Sequence, residues 1–112
     1  MFNLHFKQFK ISSQKKRGDI DDQTIFKYYQ DNNDIWGEYS GGDVKNGKII
    51  GKKTTENGFE IKYEHINASG QIKTGICRTE ISFSRQGKLI LDEYWTWTDG
   101  DKLSGKSVLM EM

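Results

Sequence analysis

The sequence predicts an all-β chain: an antiparallel up-and-down meander closed into a small barrel of about eight strands. Three observations predict it. Turn signals at Asn46-Gly47, Asn57-Gly58, Ser69-Gly70, Gln86-Gly87 and Asp99-Gly100 place their glycines 11, 12, 17 and 13 residues apart, the spacing of short strands joined by hairpins. Between these signals apolar and polar residues alternate with a period of two, the pleat repeat of a half-buried strand. The large side chains, 3 Trp, 5 Tyr and 6 Phe in a chain without proline, are types that favour strands.

The expected strands are Leu4–Ser12, Gln23–Gln30, Ile35–Ser40, Lys48–Thr54, Phe59–Ile66, Gln71–Ser84, Lys88–Thr98 and Lys102–Met112. The first lies in an alternating stretch, Met1 to Lys10. The second is ambiguous. Ile20, Thr24, Ile25 and Tyr28 fall at helical spacing, with Asp19 placed to cap a helix. Thr24, Phe26 and Tyr28 also alternate in a segment rich in aromatic and β-branched residues, and strand is the preferred reading. In the third, Ile35, Gly37 and Tyr39 share a face, and the fourth lies between the two Asn-Gly signals. The fifth is clearest, with Phe59, Ile61, Tyr63 and His65 on one face and Glu60, Lys62 and Glu64 on the other. The sixth puts Ile72, Thr74, Ile76 and Arg78 together. The seventh does so with Leu89, Leu91, Glu93, Trp95 and Trp97, and the eighth follows Asp99-Gly100. An open meander leaves two edge strands, and closure removes both. Eight strands close around an interior that side chains fill or that holds one small ligand.

At 112 residues the chain supports one core, so one domain spanning 1–112 is expected. A net charge of +1 argues against a strongly cationic nucleic-acid binder and against an acidic disordered tail. The run Lys15-Lys16-Arg17 reads as a solvated loop between strands in preference to a phosphate-contacting arm, because three charges form a weak patch. Cys77 is alone, so no intrachain disulfide is expected. No secretion signal and no stretch of membrane-spanning length is visible, which leaves no membrane partner and a cytoplasmic location as the expectation. Asn67-Ala68-Ser69 reads as a turn.

No Gly-rich phosphate loop, HExxH pair, CxxC motif or Gly-x-Ser-x-Gly elbow occurs. With two histidines sixty residues apart, His5 and His65, and one cysteine, a metal site would need carboxylates as well, so neither a metal nor a cofactor is expected. The informative residues are polar ones in the apolar register: His65, Arg78 and Glu93. With Trp95 and Trp97, which must share a face, they are the candidate ligand-binding residues for a small-molecule partner. On this reading Arg78 and Glu93 point inward and interact, since buried charges need partners. The alternative is an internal ion pair without a ligand, or faces that emerge into water. For the two tryptophans, core is favoured over an exposed stacking platform.

Tyr39-Ser40-Gly41-Gly42, Gly47 with Ile50-Gly51, Thr74-Gly75 with Cys77, and Glu93-Tyr94-Trp95-Thr96-Trp97-Thr98-Asp99-Gly100-Asp101 with Gly105 and Ser107 form a series. From Thr24 to the C-terminus it resembles a family of short bacterial proteins often labelled N-acetylglutamate synthase. That resemblance implies an amino-acid acyltransferase, and it supplies no catalytic residues to carry over. The Arg/Gln-x-x-Gly-x-Gly/Ala loop that holds the acetyl-CoA pyrophosphate at a helix start is absent from this chain. The preferred function is a calycin-like, lipocalin-like binding barrel with a small ligand inside or at its mouth; the alternatives are an acyltransferase-type enzyme and a filled structural or interaction barrel. The sequence leaves the oligomeric state open. Far-UV circular dichroism should be dominated by β-structure with helix below about 15%; a substantial helical signal would remove the barrel.

Overall fold

The computed structural model describes residues 2–12, 18–100 and 102–112. Eight strands, β1 (Lys7–Ile11), β2 (Ile25–Asp31), β3 (Asp34–Gly41), β4 (Val44–Thr55), β5 (Gly58–Asn67), β6 (Ile72–Phe83), β7 (Leu89–Trp97) and β8 (Ser104–Glu111), pair in chain order. β8 returns to β1, so the meander closes into a barrel with no helix among the described residues. All eight pairings are antiparallel. The ambiguous segment resolves as strand from Ile25, with Thr24, Phe26 and Tyr28 all facing inward. Lys15-Lys16-Arg17 lies outside the described residues.

The alternation sets which face is inside. Phe59, Ile61, Tyr63 and His65 are all buried, as are Leu89, Leu91 and Glu93, while Trp95 and Trp97 pack half-buried against the core. β6 runs in the opposite register from the one expected. Its buried residues are Gly75, Cys77, Thr79 and Ile81, and Ile72, Ile76 and Arg78 face water. Isoleucines on both faces of this strand hid its register, and a one-residue slip moves every side chain across the sheet.

Interior volume is set by rings facing glycines. Directly opposed cross-strand pairs include Tyr28–Gly37, Tyr39–Gly47, Tyr63–Gly75 and Trp95–Gly105. A Cβ at Gly47 would lie 2.5 Å from the Tyr39 ring, one at Gly75 2.4 Å from that of Tyr63, and one at Gly105 2.4 Å from that of Trp95. This corrects the Asn46-Gly47 turn. Gly47 sits inside β4 making room for a ring, and the β3–β4 turn falls at Gly41-Gly42, whose φ angles are +106° and +63°. Asn57-Gly58 shifts likewise: Thr55 pairs with Gly58 across a loop of Glu56 and Asn57, and neither Asn57 nor Gly58 has a positive φ. Gly70, Gly87 and Gly100 do sit at turns with positive φ, the conformation glycine adopts without penalty.

Both barrel ends are closed by chain. At the lower end Phe2 and Leu4 are buried, Phe2 lying 6.0 Å from the ring of Phe59. At the upper end, where the β1–β2, β3–β4, β5–β6 and β7–β8 connections gather, Ile20 and Thr24 are fully buried. The space left between Ile20, Tyr28, Tyr39, Tyr63 and Glu93 is about 10 Å³, room for one water at most. Among the described residues, side chains fill the barrel interior.

The closing seam is held by a carboxylate as well as a ladder. Glu111 accepts a hydrogen bond from the Leu89 N–H at 2.9 Å and an ion pair from Lys7 Nζ at 3.2 Å. Burial opposes its ionisation, but the Leu89 bond, the Lys7 bond and charge, and Lys88 outweigh that and hold the carboxyl below its ordinary range. A carboxyl whose folded pKa is depressed stabilises the fold above its unfolded pKa and loses that contribution as pH falls through the folded value. Denaturation midpoints of Glu111→Gln should therefore fall below wild type at neutral pH, the gap beginning to close as pH drops past the ordinary glutamate value of about 4.3 and vanishing once pH is below the depressed folded value. A gap that stays constant with pH would show that Glu111 is not titrating in a depressed state.

Candidate functional site at the upper barrel mouth

β5 ends at Asn67, so its inward series of Phe59, Ile61 and Tyr63 brings the next inward residue, His65, up beneath the upper mouth. There His65 is 2% exposed and hydrogen-bonded at both ring nitrogens. Its Nδ1 lies 2.8 Å from the Tyr39 hydroxyl, and its Nε2 lies 2.8 Å from Asp19 Oδ2. With Asp19 as a carboxylate, Nε2 donates to it and Nδ1 accepts from Tyr39, which orients the ring from both sides. Asn67 Nδ2 donates a second bond to the same Asp19 oxygen at 3.2 Å. Asp19 itself is anchored by its backbone carbonyl, which accepts from the Asp43 N–H at 3.0 Å.

Above this line lies a pocket of about 180 Å³ lined by Asp19, Lys73, Trp97, Asp99, Lys102 and neighbouring backbone. Trp97 is its aromatic wall. The indole is held edge-on by Tyr63 at 5.2 Å and His65 at 5.6 Å, and it leans on Trp95 at 6.4 Å. Gly18 lies flat against it, close enough that a Cβ would sit 3.7 Å from the ring. Three residues around this pocket hold left-handed backbone: Gly18 at φ +59°, Gly100 at +57° and Lys102 at +55°. For Lys102 that conformation costs about 1–2 kcal/mol, and such strain collects at ligand clamps and active sites.

The order hydroxyl, imidazole, carboxylate is that of a proton relay. Tyr39, however, is buried and its hydroxyl lies on the inward side of His65, so the line offers only its Asp19 end to an incoming molecule. Asp19 is an acceptor, Lys73 and Lys102 are cations, and Trp97 is a flat apolar surface. Together they suit a small molecule carrying both donor and acceptor groups around one ring. The volume lies below the usual range of about 300–1,000 Å³ for drug-sized ligands.

The five sequence-predicted residues scatter. His65 and Trp97 meet at the mouth. Trp95 sits one inward step below, its indole N–H donating to Ser107 Oγ at 2.9 Å. Glu93 is 1% exposed in the filled interior, 3.4 Å from the Tyr28 hydroxyl. Arg78 is on the outer surface, its side chain 52% exposed, paired with Glu80 at 2.8 Å and lying over the Tyr94 ring at 4.4 Å. The expected inward Arg78–Glu93 pair does not form, because Glu93 pairs in register with Thr79 and Arg78 with Tyr94, on opposite faces. Asp19, Lys73 and Lys102 escaped sequence reasoning. Asp19 carried a signal only as a possible helix cap, and the lysines had none. Among the described residues no group of His, Cys, Asp and Glu could hold a metal ion, and no helix is long and apolar enough to cross a membrane.

A family model described as Avidin-like protein matches residues 2–112. No curated protein and no solved structure matches the chain. The N-acetylglutamate synthase label receives no support from these comparisons.

Two substitutions separate the buried line from the outer surface. Tyr39→Phe leaves a buried ring nitrogen without its partner and should cost about 1–3 kcal/mol in urea denaturation. Arg78→Met should cost less than about 0.5 kcal/mol. Equal losses for the two would place Arg78 in the core network after all.

Proposed function

The chain belongs to the avidin-like protein family, and we propose that it is a small-molecule-binding barrel whose ligand is received at the upper mouth. The observation that carries this reading is the built floor and wall of the mouth pocket. A buried His65, bonded at both nitrogens, fixes the partly exposed Asp19, and Trp97 stands beside it with its orientation locked. A preorganised polar group next to a rigid aromatic surface cuts the ordering cost of binding. The filled interior confines the ligand to the mouth, so Glu93 acts as a core residue and Trp95 as support for Trp97. A cytoplasmic setting belongs to the same proposal: the lone Cys77 is buried and reduced and needs no oxidising compartment.

The test uses a set of single-ring acids, amides and amines, screened by nitrogen–proton NMR with all three indole N–H signals assigned. Binders should move the Trp97 indole signal and leave that of Trp36, on the outer surface, in place. Asp19→Asn should weaken those binders about tenfold or more, roughly 1.4 kcal/mol. Shifts at Trp36 alone, or affinities indifferent to Asp19, would remove the mouth as the binding site. Saturable consumption of acetyl-CoA with glutamate would instead establish the acyltransferase reading.

A further inference from the structure

The charges around the mouth pocket narrow what can sit in it. Asp19 and Asp99 bring two acids to its lining, and Lys73 and Lys102 bring two bases. Each is placed by its own element. Lys73 stands directly across from His65 in the β5–β6 register, two positions before the inward Gly75, so it points to the same side as His65. Asp99 and Lys102 belong to the turn between β7 and β8, where the Asp99 carbonyl accepts from the Lys102 N–H at 3.2 Å. The Trp97 N–H donates to the Leu103 carbonyl at 2.8 Å and keeps that turn beside the indole.

These charges do not neutralise one another. Lys73, Asp99 and Lys102 form no ion pair among the described residues. The Asp19 side chain is only 19% exposed, yet its bonds from His65 and Asn67 both fall on Oδ2. Its Oδ1 accepts none among the described residues. A largely buried carboxylate oxygen is costly to dry without a donor, so a molecule that covers the pocket has to bring one.

The balance of charge selects among ligand classes. An anion drawn to the two lysines is pushed back by Asp19 and Asp99, and a cation drawn to the acids meets the lysines. An uncharged ring dries all four charges and gives none a counter-charge. A zwitterion answers both signs at once, and the same repulsions turn its singly charged analogues away. The volume of about 180 Å³ holds one small unit, and Trp97 offers that unit a flat apolar wall. We infer that the mouth receives a free amino acid with an aromatic side chain. Its ammonium group donates to Asp19 Oδ1 and Asp99, its carboxylate accepts from Lys73 and Lys102, and its ring lies against the half-buried Trp97 indole. This inference rests on the mouth being the binding site and adds the class of ligand.

The experiment compares three single-ring compounds on wild type, by calorimetry and by the assigned Trp97 indole signal. They are phenylalanine, phenethylamine, which lacks the carboxylate, and phenylpropionate, which lacks the ammonium group. Phenylalanine should shift Trp97 and bind at least about tenfold more tightly than either analogue. Lys73→Met should loosen phenylalanine by about tenfold and tighten phenethylamine, because the repelling cation is gone. Asp99→Asn should loosen phenylalanine and tighten phenylpropionate. Opposite shifts of this kind do not come from a damaged fold, and the comparison on wild type needs no variant at all. An analogue that moves Trp97 and binds as tightly as phenylalanine overturns the zwitterion while leaving the mouth as the binding site. Variants that weaken all three compounds alike overturn it too. If none of the three moves Trp97 the ligand class is wrong, and the mouth falls with it only if the wider set of ring compounds also leaves Trp97 unmoved.

Discussion

The rest of the structure depends on the volume a closed eight-stranded wall encloses. The wall fixes how much can lie inside, and this chain fills that space with rings, making room for each by removing the side chain opposite. Tyr39 needs Gly47, Tyr63 needs Gly75 and Trp95 needs Gly105. These pairings keep interior density near that of a crystal while the sheet holds its curvature. They also locate the site: with rings and two chain plugs occupying the body of the barrel, the polar line from Tyr39 through His65 can reach solvent only at the rim, through Asp19.

That constraint explains what the sequence showed and what it hid. Alternation gave the inward faces of Phe59–His65 and Leu89–Trp97 correctly: Glu60, Lys62 and Glu64 mark the outer face of the first, and in the second Asp92 and Thr96 do so despite Ile90 and Tyr94 beside them. β6 misled because Ile72 and Ile76 lie outside while the inward positions hold Gly75, Cys77 and Thr79, so hydrophobicity alone points the wrong way. The glycines misled for the same reason. A glycine that makes room for a ring and one that turns the chain look alike in one dimension, and only Gly70, Gly87 and Gly100 proved to be turns of the expected kind. Closure, the number of strands and their order survived these errors, since they follow from spacing and from the cost of free edges.

The site was less legible than the fold. His65 and Trp97 were visible as a polar and an aromatic residue at the ends of inward faces. Asp19 reaches His65 from 46 positions away in the chain, and no periodicity reports a contact of that range. Arg78 illustrates the opposite error. Two charges in separate apolar registers invite pairing, and the register between β6 and β7 places them on opposite sides of the wall.

The seam between β1 and β8 has a kinetic meaning. Seven of the eight strand pairings join neighbours in the chain and can form as local hairpins while the polypeptide is still emerging. The eighth joins Phe9 to Glu111, nearly the whole chain apart, and must wait for the last strand. Until then β1, only five residues long, and the strand left open at the other end of the meander are exposed edges. The nascent sheet is thus most prone to stray pairing just before completion, and closing the ring is the costly, non-local step that limits how fast the barrel becomes native.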